Sequence, residues 1–100
     1  MPGIFFLPAS EPETDFPFGT LVITRNAAAQ LDERDVITAL DRHGRCDWGD
    51  LSPEDRVENE LSLKFDERLL SAYHDRKGVK FWVITEADRS ATTVLLPEDY

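Results

Sequence analysis

The fold of this chain is decided by three apolar segments near its end: Glu67-Arg-Leu-Leu-Ser-Ala-Tyr73, Val79-Lys-Phe-Trp-Val-Ile-Thr85 and Ala91-Thr-Thr-Val-Leu-Leu96. Polar breaks at 74–78 and 86–90 separate them. This pattern is typical of three consecutive β-strands joined by short turns. In the middle segment only Lys80 interrupts two alternating apolar sets. It is therefore predicted to be a central strand, covered on both faces for much of its length.

Two helices are predicted before these strands. Asp32 can cap the first, in which Val36, Leu40 and His43 lie on one face and which Gly44 can end.

The second helix has a stronger start signal. Ser52 can cap it, and Pro53 occupies the first turn, where no amide donor is missed. Val57, Leu61 and Phe65 then recur at i, i+4 and i+8, which is the spacing of one helix face.

Upstream, Thr20–Thr24 fits a strand, and Asn26 can cap a short turn through Gln30. The prediction is one α+β domain over 18–100. Its order is β-α-α-β-β-β, with a four-stranded, mainly antiparallel sheet and two helices on one face.

Residues 8–17 contain three prolines and no periodicity, so residues 1–17 are predicted to form an extended arm. Its aromatic and aliphatic side chains, or a partner chain, are expected to cover part of the other sheet face. These side chains are Ile4, Phe5, Phe6, Phe16 and, just beyond the arm, Phe18.

The net charge of the chain limits the kinds of molecule that it can bind. The chain has 100 residues, 20 acids and 11 bases, so its net charge is −9. Such a surface repels nucleic acid and anionic membranes, and direct binding to either is not expected. The single cysteine excludes an intramolecular disulfide, and the N-terminus lacks a basic region and a long apolar core. A cytoplasmic location follows as the default expectation.

Eight acids and two bases lie between residues 47 and 67. A row of carboxylates there could imitate the phosphates of DNA and occupy a partner's nucleic-acid groove. The alternative is an acidic helix face that contacts only solvent and aids solubility. Trp48 is either an apolar anchor beside this surface or a core residue. The predicted partner-binding residues are Asp47, Trp48, Asp50, Glu54, Asp55, Glu58 and Glu60.

Three other residues offer an alternative, enzymatic site. Glu86, Asp88 and Arg89 share one turn, with hydroxyls close by at 92–93. An acid, a base and hydroxyls together are what a small ribonuclease or other phosphodiesterase needs. The competing interpretation is that these residues shape the turn and pair locally.

His43 and Cys46 are three residues apart. They could form half of a zinc site, or Cys46 could be a nucleophile with histidine as its base. We favour a packing role for both residues. Few further side chains are present to complete a zinc site, and the acids near Cys46 disfavour the thiolate form of its side chain. No metal or cofactor is predicted.

Three segments carry a resemblance: Arg42-His-Gly-Arg-Cys-Asp-Trp-Gly-Asp50, Arg68-Leu-Leu-Ser-Ala-Tyr73 and Phe81-Trp-Val-Ile-Thr-Glu-Ala-Asp-Arg-Ser-Ala-Thr-Thr-Val-Leu-Leu-Pro-Glu-Asp-Tyr100. Over about 20–100 the chain resembles a group of short acidic bacterial proteins of plasmids and integrating elements. They are usually called plasmid-related, or a type I restriction subunit. The chain departs from that pattern at Arg45-Cys46, where glycine is usual before the aspartate, and in its long arm.

The resemblance implies that the chain is encoded on a mobile genetic element. It assigns a catalytic role to no residue. A methyltransferase subunit would need a cofactor-binding α/β domain, for which this chain is too short.

The leading hypothesis is a non-enzymatic acidic interaction protein that inhibits host nucleic-acid machinery, such as restriction or CRISPR interference. The expected partner is a basic, nucleic-acid-binding protein, and a homodimer is also possible. The alternatives are a ribonuclease-like toxin that uses the 86–93 turn and an orphan accessory protein with a transient partner.

Overall fold

The computed structural model describes residues 14–100. The four strands are β1 Thr20–Ile23, β2 Leu69–His74, β3 Lys80–Thr85 and β4 Ala91–Leu95. The helices are α1 Arg25–Gln30, α2 Glu33–Gly44 and α3 Pro53–Lys64, and a 3-10 turn follows at Pro97–Asp99. The predicted α+β domain with a four-stranded sheet is confirmed.

The strand order is β1-β4-β3-β2, so β3 is central as predicted. β3 pairs antiparallel with both β2 and β4. β1 runs parallel to β4, with Thr20 beside Ala91 and Ile23 beside Val94. The sheet is therefore mixed, with two of its three pairings antiparallel.

Helix capping follows the sequence signals in two of three cases. The side chains of Asp32 and Ser52 cap α2 and α3. The first short segment differs from the prediction, because Thr24 caps it and residues 25–30 form a complete helix. Asn26 instead donates through Nδ2 to Asp99 Oδ1 at 3.1 Å, which ties α1 to the C-terminal turn.

The buried apolar residues form two clusters. The larger joins α1 and α2 to the sheet and contains Ala27, Leu31, Val36, Ala39, Tyr73, Phe81, Val83, Val94 and Leu96. The smaller contains Phe16, Trp48 and Leu69, with Leu63 of α3 packed against it. Leu69 and Tyr73 are four positions apart on β2, so they point to the same face of the sheet. The helices are thus packed on one face, as predicted.

The predicted role of Phe16 and Phe18 needs correction. Both pack against His43 of α2, so they lie on the helix-covered face rather than on the opposite one. Phe16 is buried and belongs to the core, although the sequence placed it in the arm. Ile4, Phe5 and Phe6 lie outside the described residues. Within 14–100, no helix has the length and apolar character needed to cross a bilayer.

Candidate functional site

Helix α3 is fastened to the free side of β2 by polar contacts. Its buried residues are Asn59 and Ser62. The Asn59 side chain donates to the carbonyl of Leu70 and accepts from the Leu70 amide at 3.2 Å. It therefore satisfies backbone groups at the sheet edge, where β2 has no second neighbouring strand among the described residues. Sequence reasoning missed Asn59; the available signal was its place opposite the apolar stripe of the same helix.

That apolar stripe faces solvent. Val57, Leu61 and Phe65 are 60%, 50% and 62% exposed. An apolar stripe at helical spacing normally turns toward the core, and in this chain it turns away from it. Three large apolar side chains in a row on one exposed helix face are typical of a surface that another molecule covers.

Two carboxylates lie on the same face. Glu54 and Glu58 are related to the stripe by three- and four-residue steps, so helical periodicity places all five side chains together. We call this surface the α3 outer face: Glu54, Val57, Glu58, Leu61 and Phe65. Asp55 is exposed as well but is turned away from it by the same periodicity.

These acids are not neutralised. Glu54, Asp55 and Glu58 form no ion pair with any residue from 14 to 100. The nearby Arg56 turns back and donates to the carbonyls of Leu51 and Gly49. The α3 outer face therefore combines apolar area with free negative charge.

The other predicted acids are engaged locally. Asp47 accepts from Arg42 at 2.8 and 3.1 Å, and this pairing lowers the pKa of its carboxyl. Asp50 lies 2.8 Å from His74 Nδ1. Glu60 accepts from the indole nitrogen of Trp48 at 2.7 Å. These three carboxylates contact neighbouring side chains, whereas Glu54, Asp55 and Glu58 pair with no basic side chain within residues 14–100.

Of the two roles predicted for Trp48, the structure shows the core residue and not the exposed anchor. The side chain is only 2% exposed and packs against Phe16 and His43, with ring centroids at 6.3 and 5.7 Å. Because its one polar atom bonds to Glu60, the indole can be buried without an unsatisfied donor. The core interpretation of Trp48 is the correct one.

His43 begins a buried polar chain that the sequence did not reveal. Its ring nitrogens contact Ser71 Oγ and, at 2.9 Å, Thr85 Oγ1. Thr85 lies 2.8 Å from Thr92 Oγ1, which donates to the carbonyl of Phe18. All four side chains are fully buried. Burial and the charge of Arg89 lower the pKa of His43 to about 3, so this chain of contacts holds a neutral imidazole.

Two side chains of the 86–93 turn, those of Arg89 and Asp88, bond to backbone groups. Arg89 Nη1 donates to the carbonyls of Glu67 and Glu86 at 2.8 and 3.0 Å. Asp88 accepts from the Ser90 amide at 3.0 Å and shapes the turn. Nη1 of the guanidinium is thus occupied by backbone oxygens, Nη2 is buried without a partner among residues 14–100, and Thr92 is buried.

Cys46 is a half-buried free thiol. Burial and the neighbouring Asp15 raise its pKa to about 12, which opposes the thiolate that nucleophilic catalysis needs. In the described part of the chain, no cluster of three or more histidine, cysteine or carboxylate side chains could hold a metal ion.

Comparisons with protein-family models, with curated proteins and with solved structures each find no significant match. The function has to be inferred from the surface itself.

Proposed function

We propose that this chain is a non-enzymatic acidic interaction protein that binds a basic partner through the α3 outer face. The observation that carries the proposal is the exposure of Val57, Leu61 and Phe65 beside two glutamates that form no ion pair within residues 14–100. The partner surface that fits this face is an apolar groove bordered by lysine or arginine.

The geometry resembles recognition of an amphipathic helix in a groove, which uses anchors spaced by three and four residues. Burying a large apolar side chain contributes about 1.5–3 kcal/mol, and less for one that is already half covered. The three anchors therefore supply the main attraction. The glutamates increase the rate of encounter and select a basic groove over a neutral one.

Basic grooves of this kind are common where proteins hold nucleic acid. We propose, more specifically, that the partner is a host nucleic-acid-handling protein and that the chain belongs to a mobile genetic element and blocks a system such as restriction or CRISPR interference. The net charge of −9 supports this choice. The ribonuclease-like alternative has less support, because Arg89 is committed to backbone carbonyls.

The test compares three full-length variants with the wild type. Leu61→Ser with Phe65→Ser removes two anchors, and Glu54→Gln with Glu58→Gln removes charge at constant shape. Asp55→Asn is the matched control, since it removes one free charge from the same helix outside the α3 outer face. Each change is at an exposed side chain and should alter the free energy of unfolding by about 0.5 kcal/mol or less.

Partners captured from a host lysate by the wild type are identified by mass spectrometry, and the affinity of each purified partner is then measured by calorimetry. We expect a loss of at least ~10-fold for the anchor variant, which corresponds to about 1.4 kcal/mol. The charge variant should bind more weakly and with less dependence on salt, while the control stays close to the wild type. Equal affinity for all variants would contradict the proposal.

A competition experiment tests the more specific statement. If the partner's groove is its nucleic-acid site, duplex DNA or RNA should displace the chain from the purified complex. If neither nucleic acid displaces the chain, the α3 outer face still binds a protein, but it does not imitate nucleic acid.

A further inference from the structure

Strand β1 presents an open and apolar edge. Leu21, Val22 and Ile23 are 55%, 44% and 43% exposed. Thr20 and Thr24 donate their amides to Ser90 and Val94 at 2.9 and 3.0 Å. Since alternate residues of a strand turn their backbone groups to opposite sides, Leu21 and Ile23 direct theirs away from β4.

The opposite edge of the same sheet is covered. Gly49 forms a parallel bridge with Ala72 of β2, and Asp50 donates its amide to the Ala72 carbonyl at 2.7 Å. Asn59 satisfies Leu70 in the same strand. No comparable cover lies along β1 among residues 14–100, and Thr20–Ile23 contains no charge, proline or bulge that would discourage pairing.

An apolar recess adjoins this edge between β1 and α2. It is lined in part by Phe18, Leu21, Ile37 and Leu40. Ile37, on the outer side of α2, is 61% exposed. An added strand would bring side chains over this recess while it completes the backbone hydrogen bonds of β1.

We propose that the added strand is β1 of a second copy, paired antiparallel about a two-fold axis at Val22. This register sets Leu21 opposite Ile23 of the second copy and joins two four-stranded sheets into one. Leu21 and Ile23 carry the outward backbone groups, so each such pair exchanges two hydrogen bonds. The interface is isologous, as in most homodimers.

Charge placement favours a second copy despite the net charge of −9. The free acids of α3 lie beside β2, at the far edge of the sheet from β1. At the junction, β1 itself is uncharged. Arg25 follows one end of β1, and the recess at the other end carries Asp41, a half-exposed carboxylate that also pairs with Arg45 at 3.0 Å. Antiparallel pairing brings each Arg25 toward the Asp41 end of the other copy.

Disulfide trapping tests the register. In full-length protein carrying Cys46→Ser, Val22→Cys should cross-link to its symmetry mate under mild oxidation. Residue 22 faces itself in a non-hydrogen-bonded pair, where Cα atoms are about 4.5 Å apart. Thr20→Cys is the matched control. Its mate would lie four positions away, roughly 13 Å, beyond the reach of a disulfide. Light scattering at increasing concentration gives the mass of the wild type and of Ile23→Lys, which should be dimeric and monomeric respectively.

Three results would overturn the proposal: a wild type that stays monomeric at millimolar concentration, equal cross-linking of the two cysteine variants, or a dimer that survives Ile23→Lys. If the wild type stays monomeric and a Phe5→Ser, Phe6→Ser variant dimerises, the first of these results is explained by N-terminal residues of the same chain that occupy the edge. The Leu61→Ser, Phe65→Ser variant should remain dimeric, so loss of partner binding and loss of dimerisation are distinguishable.

Discussion

The buried imidazole of His43 predicts that the fold loses stability in mild acid. In the folded chain both ring nitrogens contact hydroxyl groups, and the residue is 0% exposed. Protonation would place a charge among buried neutral hydroxyls, with Arg89 adding repulsion. In the unfolded chain the His43 imidazole is in contact with water, so it takes up a proton more readily than in the folded chain.

The size of the effect follows from the two pKa values. The pKa of His43 falls from the ordinary 6.5 to about 3 on folding. A histidine with a lowered folded pKa contributes stability that is complete above pH 6.5 and is lost as the pH falls toward 3. Between pH 8 and pH 5 the loss from this one residue is about 2 kcal/mol. The figure changes little if the folded value is one unit higher, because at pH 5 the folded imidazole is neutral in either case.

Urea unfolding at pH 8, 6.5 and 5 measures this loss. His43→Asn keeps a neutral hydrogen-bonding side chain and should be less stable at pH 8 by about 1–3 kcal/mol. Between pH 8 and pH 5 its free energy of unfolding should fall by about 2 kcal/mol less than that of the wild type. Both proteins share the further loss that comes from protonation of their carboxylates. His74→Asn, the same substitution at an exposed site, is the matched control. If wild type and His43→Asn lose equal stability from pH 8 to pH 5, the buried neutral imidazole is refuted.

Three further predictions concern single positions. Gly49→Ala should destabilise the fold by about 3 kcal/mol or more, because φ is +75° and a Cβ would meet the Ala72 carbonyl at 2.0 Å. Gly78→Ala is the control, since φ is +86° but no atom lies within 4 Å of the added Cβ. It should destabilise the fold by only about 1–2 kcal/mol. Similar melting temperatures for the two variants would contradict this. Asn59→Ala should cost about 1–3 kcal/mol in urea unfolding, since it leaves two backbone groups of β2 unpaired, and an unchanged midpoint would show that water replaces the amide. The native Cys46 thiol, whose pKa is about 12, should react with a disulfide reagent at pH 8 at least ~100-fold more slowly than in urea, and equal rates would refute its protection.

The sequence predicted the parts of the fold that have local signals. Apolar runs between polar turns identified β2, β3 and β4, and Asp32 and Ser52 marked two helix starts. The parallel pairing of β1 with β4 was out of reach, because it depends on contacts between opposite ends of the chain. The same is true of the buried hydroxyls: Ser71, Thr85 and Thr92 resemble ordinary strand residues until the sheet brings them to His43.

The candidate surface was only half predictable. The acidic character of α3 is a property of composition and was recognised in advance. Which of its faces is buried was not, because periodicity reveals an apolar face but not what covers it. Asn59 occupies the inner position because a sheet edge needs hydrogen-bond partners more than apolar contact. Trp48 lies among acids in the sequence, yet only the fold shows that its indole points inward.

The link between Thr24 and Asp99 affects how the protein can be made. Thr24 donates to Asp99 Oδ2 at 2.7 Å across a sequence separation of 75 positions. β4, the only described strand to which β1 is hydrogen-bonded, is synthesised after the other three described strands. During translation β1 must therefore wait, with its apolar residues exposed, until residues 91–95 have left the ribosome. Contacts this distant in sequence form slowly, so a nascent chain that stalls before residue 91 would display an unpaired apolar strand suited to chaperone capture or aggregation.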